Sequence, residues 1–194
     1  MNSKTSILLS IFKGIYFSSE ELNIVERQFQ KITLQKGDIL LSSGKVVGEQ
    51  YYIHSGCLRA FFISTDGKEH TIQFAIEDWW ISDYTAFFTT SKAIMTIDCI
   101  KDATIYKISK ESLEILYLEI PKLETFFRKK MEGSFSSFQK RILGTLSQTA
   151  KERYITFIKT YPDIQLSIKN YHIASYLGIT TESLSRIRKE IAKK

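Results

Sequence analysis

Glu182 and Arg186 stand four residues apart in TTESLSRIRKEIAKK, the C-terminal stretch of the chain. That spacing puts a carboxylate and a guanidinium on one face of a helix. Both groups can read base edges: arginine pairs bidentately with guanine, and glutamate accepts from the cytosine amino group. Thr181 and Ser185 share this face as supporting contacts, and Thr180, Arg188 and Lys189 are phosphate candidates. Arg186, Arg188, Lys189, Lys193 and Lys194 crowd the end of the chain against Glu190 alone. The net charge of +6 says little by itself, but charge concentrated on one helix suits phosphate contacts.

Such a face needs a framework to present it. Leu184, Ile187 and Ile191 recur at threes and fours and give this helix an apolar stripe. Just before it, Ile173, Ala174 and Leu177 form one face of a shorter helix, with Ala174 small where a second helix must cross. Gly178 can take the positive φ that ends the shorter helix, and Thr180 or Thr181 can cap the next. This reads as a helix-turn-helix with its second helix in the major groove. A helical hairpin with a solvated basic face is the plainer alternative. Agreement among the alanine, the glycine and the apolar positions favours DNA.

The segment IASYLGITTESLSRIRK resembles the helix-turn-helix of the cyclic-AMP receptor protein (Crp/Fnr) family of bacterial regulators. That family carries an RE-x-x-x-R signature on its recognition helix, matched here by Thr181, Glu182 and Arg186. Threonine in the first position cannot make a bidentate guanine contact, so the DNA site is expected to differ from the family's usual one. Similar stretches precede it: KGDILLSSG, YYIHSGCLRAFF and DGKEHTI match the family's β-roll. The resemblance implies an α+β fold with an N-terminal cyclic-nucleotide-binding-like β-roll (a jelly roll), a long dimerisation helix and a C-terminal winged helix-turn-helix. It also implies double-stranded DNA as partner, a homodimer, and RNA polymerase as a partner if the protein activates.

The 194 residues, 43% of them apolar, allow one large or two small domains. Residues 1–120 are expected to form the sensor domain, 121–146 the dimerisation helix and 147–194 the DNA-binding domain. No apolar run is long enough to cross a bilayer, and no secretory leader is legible, so a cytoplasmic protein is expected. Cys57 and Cys99 suit buried thiols. Two cysteines are too few for the iron–sulfur cluster of oxygen-sensing family members. His54 and His70 lack an evident third metal ligand, and no nucleophilic triad or phosphate-binding glycine loop is visible. The expectation is no enzyme and no cofactor.

In chain order, Ser18-Ser19-Glu20-Glu21 opens a helix through about Gln28 with a capping box. Short apolar runs then alternate with turn signals: 32–34, 39–41, 50–54, 57–63, 69–75, 93–100 and 104–108. Ser55-Gly56 and Asp66-Gly67 are read as turns. Ser109 caps a helix, and Pro121 suits the first turn of a long one. Leu123, Phe127, Met131, Phe135, Phe138, Ile142 and Leu146 stripe that helix. Gly144 and Ser147-Gln148-Thr149 mark a hinge, and 166–168 a reduced wing strand.

Residues 77–92 hold both tryptophans. In the family this region cradles the cyclic-nucleotide phosphate, through a Gly-Glu pair and an Arg-Ser pair about ten residues on. Ser82-Asp83 and Ala93-Ile94 fall at those positions. Without the arginine, cyclic-AMP binding is not expected. Trp79, Trp80, Asp83, Tyr84 and Lys92 are candidates for a different ligand pocket, with packing into the core the favoured reading of the aromatics. The effector is left open. The competing class is a small-molecule-binding, cupin-like β-roll whose C-terminal helices contact only protein.

Overall fold

The computed structural model describes residues 3–163 and 168–192. They group into two units: Met1–Ala60 with Phe74–Met131, and Phe61–Gln73 with Glu132–Lys194.

The first unit begins with α1 (Ser3–Ile11) and α2 (Ser19–Gln28). Ser18 and Glu21 form the expected capping box, each side chain bonding the other's backbone N–H. The strands are β1 (Gln30–Leu34), β2 (Ile39–Leu41), β3 (Glu49–Ile63), β4 (Glu69–Ala75), β5 (Trp80–Ile81) and β6 (Thr96–Ser109), with α3 (Tyr84–Thr89) between the last two. They build an antiparallel sheet in the order β1-β6-β3-β4, with β2 also on β6 and β5 also on β3. β1 opposes β6 from Gln30 against Lys107 to Leu34 against Ala103. α4 (Lys110–Glu119) follows, capped by the Ser109 hydroxyl as the sequence suggests.

Two expectations are corrected here. Ser55-Gly56 is no turn, because β3 runs unbroken through it. Gly56 has φ +94°, and a Cβ there would lie 2.3 Å from the Asp102 carbonyl oxygen and 2.6 Å from Ala103 Cα. The glycine marks a close approach of two backbones, the other meaning of glycine inside a strand. Likewise, the strands expected at 93–100 and 104–108 are one strand, β6, because Lys101-Asp102-Ala103 stays in the ladder.

Phe12, Val25, Tyr52, Ile53, Leu58, Ile81, Ile97, Ile105 and Leu116 fill the core of this unit. Arg59 is buried in it with a bidentate partner: Nε and Nη2 donate to Asp98 Oδ1 and Oδ2 at 3.0 and 2.8 Å. Such a fork stitches β3 to β6, and removing either partner strands a buried charge. Cys57 and Cys99 are both free and buried. Burial pushes their thiols up to about 12 and about 11. A thiolate is the reactive form. Neither cysteine should therefore react with iodoacetamide at pH 8 in the folded protein, and both should after unfolding in guanidinium. Rapid native labelling, read by mass, would contradict this burial.

α5 (Lys122–Ser147) spans the division, which falls at Met131–Glu132. Leu123 and Phe127 are buried in the first unit, and the division therefore runs inside the helix expected at 121–146. Gly144 does not break it, which corrects that part of the expected hinge; the break between helices falls at 147–149. The helix ends at Ser147, and Thr149 with Glu152 forms a capping box for α6 (Ala150–Thr160). Then come α7 (Asn170–Leu177) and α8 (Thr181–Ala192). The wing strand expected at 166–168 falls outside the described residues except for Ile168.

In the second unit the tip of the β3–β4 hairpin meets α7. The Ser175 hydroxyl donates to Glu69 O at 2.8 Å and accepts from Thr71 N at 2.9 Å. Arg141 donates to Ile72 O at 2.6 Å and lies over the Tyr176 ring.

Candidate nucleic-acid interface

The geometry of α8 starts with the turn before it. Gly178 takes φ +65°, the left-handed conformation glycine enters without a Cβ clash. Its N–H and that of Ile179 bond back to Ser175 and Ala174 carbonyls at 3.2 and 3.0 Å. The chain then reverses, and the Thr180 hydroxyl accepts from Ser183 N at 3.2 Å, an N-cap for α8.

Leu184 and Ile187 are buried, as are Ile173, Ala174 and Leu177 of α7 and Tyr154 and Phe157 of α6. Three short helices thus share one apolar core. Arg153 adds to it, donating to Leu177 O and Gln148 O at 3.2 and 2.7 Å. With Leu184 and Ile187 turned inward, helical geometry turns Glu182, Ser185, Arg186 and Lys189 outward. All four are exposed, and Thr181 is half-buried. The Thr181 hydroxyl donates to Glu182 Oε1 at 3.0 Å. Glu182's own backbone N–H first, and this hydroxyl next, hold its carboxyl below the usual glutamate value. An anionic Glu182 at the first turn suits the positive end of the helix and is an acceptor only.

Arg188 was read as a phosphate contact from its place in the basic run. The structure gives it partners: Nε donates to the Tyr154 hydroxyl at 3.0 Å, and Nη1 to Asn170 Oδ1 at 2.6 Å. It ties α8 to α6 and α7. Sequence spacing put Arg188 beside Lys189; the packing of α6 and α7 adds these two partners.

The candidate pocket residues are placed as follows. Trp79 and Trp80 pack on the core of the first unit, Trp80 edge-on to Phe29, Tyr52 and Phe127. Tyr84 packs on the same core, and its hydroxyl donates to Gln50 Oε1 at 3.2 Å. Lys92 is exposed and bridges to Val46. Asp83 is wholly buried and accepts from three backbone N–H groups. A cleft of about 500 Å³ lies elsewhere, between Gly14–Tyr16 and Lys122–Lys129. Two of its three lysines are paired, Lys13 with Asp78 and Lys122 with Glu21. No group of histidine, cysteine and carboxylate side chains among the described residues could hold a metal ion.

A β-roll and a C-terminal helix-turn-helix define the fold class. The comparisons agree. The cyclic nucleotide-binding domain model matches residues 31–119. The anaerobic regulatory protein of Haemophilus influenzae is 28% identical over 178 residues, 85% of this chain and 66% of that protein. The chain thus spans just under two thirds of that relative's length. FixK2 from Bradyrhizobium japonicum superposes with a TM-score of 0.75 at 17% identity, over 85% of each chain. A CooA variant from Carboxydothermus hydrogenoformans does so with a TM-score of 0.72 at 17% identity, over 96% of this chain and 84% of that one. In sequence over residues 31–119 and in fold over most of its length, the chain is similar to regulators of the Crp/Fnr kind.

Proposed function

We propose that the protein is a sequence-specific DNA-binding transcriptional regulator, acting as a homodimer on a palindromic promoter site without cyclic AMP. The observation that carries this is the outward face of α8, where Glu182, Ser185, Arg186 and Lys189 stand exposed over buried Leu184 and Ile187. Arg186 and Glu182 take the base contacts, Thr181 and Ser185 support them, and Thr180 and Lys189 meet phosphates. Arg188 stiffens the motif through Tyr154 and Asn170 and also meets phosphate. The curated relatives are named as a regulatory protein and a transcriptional activator, which supports a regulator over an enzyme. No helix among the described residues is long and apolar enough to cross a membrane, compatible with a cytoplasmic regulator. RNA polymerase is the further partner if the protein activates.

The test is binding to the DNA upstream of its own gene, against a scrambled duplex, at two salt concentrations and without added ligand. Selective binding should weaken by about a thousandfold or more between ~50 and ~200 mM salt if six or more phosphates are contacted. A cupin-like protein with a protein-contact domain predicts no such selectivity or slope. Arg186→Ala should cost about 1–3 kcal/mol and relax preference at one base position. Arg188→Ala should instead lower the melting temperature and weaken all sequences alike. Unchanged base preference in the Arg186 variant would remove it from the interface.

A further inference from the structure

The Asp83 carboxylate stands where its chemistry is costly. It is fully buried, and a buried carboxylate must be paired or hydrogen-bonded to stay charged. No cationic side chain is among its partners, which are all backbone donors. Oδ1 accepts from Ala86 N at 3.2 Å, and Oδ2 accepts from Ile94 N and Met95 N at 2.8 and 3.0 Å. Two consecutive N–H groups aimed at one oxygen form a concave donor site of the kind that binds small anions. Ala86 supplies a third donor to the other oxygen, and Asp83 caps α3 with the same group.

The loop that carries those donors is held from several sides. Ser91 N donates to Ala86 O at 3.0 Å, and Ala93 N to Lys45 O at 2.7 Å. Lys110 Nζ donates to Phe88 O and to the Thr90 hydroxyl at 3.0 and 3.2 Å. Thr90 itself sits in the left-handed region at φ +51°. The amides of Ile94 and Met95 are therefore fixed in place and pointed at Asp83, not free to seek water.

We propose that Asp83 is a resident anion: its carboxylate fills the amide site formed by Ala86, Ile94 and Met95 and so excludes phosphate-bearing effectors from the β-roll. A phosphate at these donors would meet a carboxylate of like charge. The site is occupied by the chain itself, and the loop that carries the Ile94 and Met95 amides is held in place without a ligand. The inference rests on reading the first unit as a sensor domain, and it extends that reading from a missing arginine to an occupied site.

Two arms test it. In the wild-type protein, the amide resonances of Ala86, Ile94 and Met95 are followed during titration with inorganic phosphate and with cyclic AMP. They should not move at millimolar ligand; saturable shifts at these three amides would overturn the proposal. In Asp83→Ala, the lost carboxylate is offered back as formate, with chloride at equal ionic strength as control. The variant should melt about 5–10 °C lower than wild type, and formate should restore part of that loss in a saturable way while leaving the wild-type melting temperature unchanged. No recovery beyond the chloride control would overturn it. Asp83→Asn serves if the alanine variant does not fold: it keeps the shape but turns an acceptor into a donor facing N–H groups, and should lose stability similarly. Equal stability of the asparagine variant and wild type would also overturn it. Neither arm uses DNA. Failure of the regulator reading would leave the amide shifts and formate rescue intact, and failure here would leave DNA binding intact.

Discussion

Gly56→Ala is expected to cost at least about 3 kcal/mol and to lower the melting temperature of the protein by roughly 10 °C or more. Two penalties combine. A residue with a Cβ at φ +94° carries about 1–3 kcal/mol of strain. The added methyl would also stand 2.3 Å from Asp102 O and 2.6 Å from Ala103 Cα, both backbone atoms that no rotamer change can move. Ala103 lies opposite Leu34, so β6 cannot retreat without disturbing β1. Asp102 is anchored too, its Oδ1 accepting from Lys36 N at 2.7 Å. Gly44→Ala separates the two penalties. Gly44 has φ +86° and nothing within 4 Å of its would-be Cβ, so it should carry the strain alone. Thermal melts of the two variants give the comparison. Equal losses would mean that β3 and β6 part easily at this point.

Gly56 also shows where sequence reading runs short. The local signal, Ser-Gly between two apolar runs, is the same for a turn and for a close approach inside a long strand. The difference lies in a neighbouring strand some fifty residues away, which no window along the chain contains. The same holds for Gly144, whose helix continues because the flanking residues keep helical hydrogen bonds. By contrast, the capping box at Ser18 and the αL glycine at Gly178 are local devices, and both stand where the residues place them. The outward face of α8 was legible for the same reason, since Leu184 and Ile187 fix it by period alone. Arg188 was not: a guanidinium on a basic helix looks the same whether it meets solvent, phosphate or a tyrosine hydroxyl. Asp83 lay between these cases. Its position was picked out by its distance from Ala93-Ile94, yet only the folded loop reveals that the amides there turn toward it.

The substitution pair Leu143→Glu and Leu146→Glu is expected to leave a folded monomer whose affinity for a full palindromic site falls by about 10²–10⁴. Along α5, Phe135, Ile142, Leu143 and Leu146 are exposed, Leu146 at 80% and Phe135 at 69%. Met131, Phe135, Phe138, Ile142 and Leu146 recur at intervals of three and four, and Leu143, three residues before Leu146 and exposed, widens the same face, which is a continuous stripe and not scattered apolar residues. Leu123 and Phe127 begin the same stripe but are buried in the first unit, so its lower half is the part left exposed among the described residues. A contiguous apolar face of this kind on a surface marks a protein contact. Its simplest occupant is the same helix of a second copy, running parallel, because a two-fold axis along α5 lets the stripe cover itself. Charged residues at 143 and 146 would face their own copies across that axis, which strongly disfavours pairing. Neither leucine is needed inside the chain, so folding should persist. Each recognition helix would then read a half-site alone and lose the gain from linking two contacts one helical turn apart. Sedimentation equilibrium gives the oligomeric state, and titration of full and half sites gives the affinity. A variant that remains a dimer and binds the full site as wild type does would place the dimer contact elsewhere on the chain. A monomer with undiminished full-site binding would mean that one recognition helix suffices, contrary to the palindrome reading.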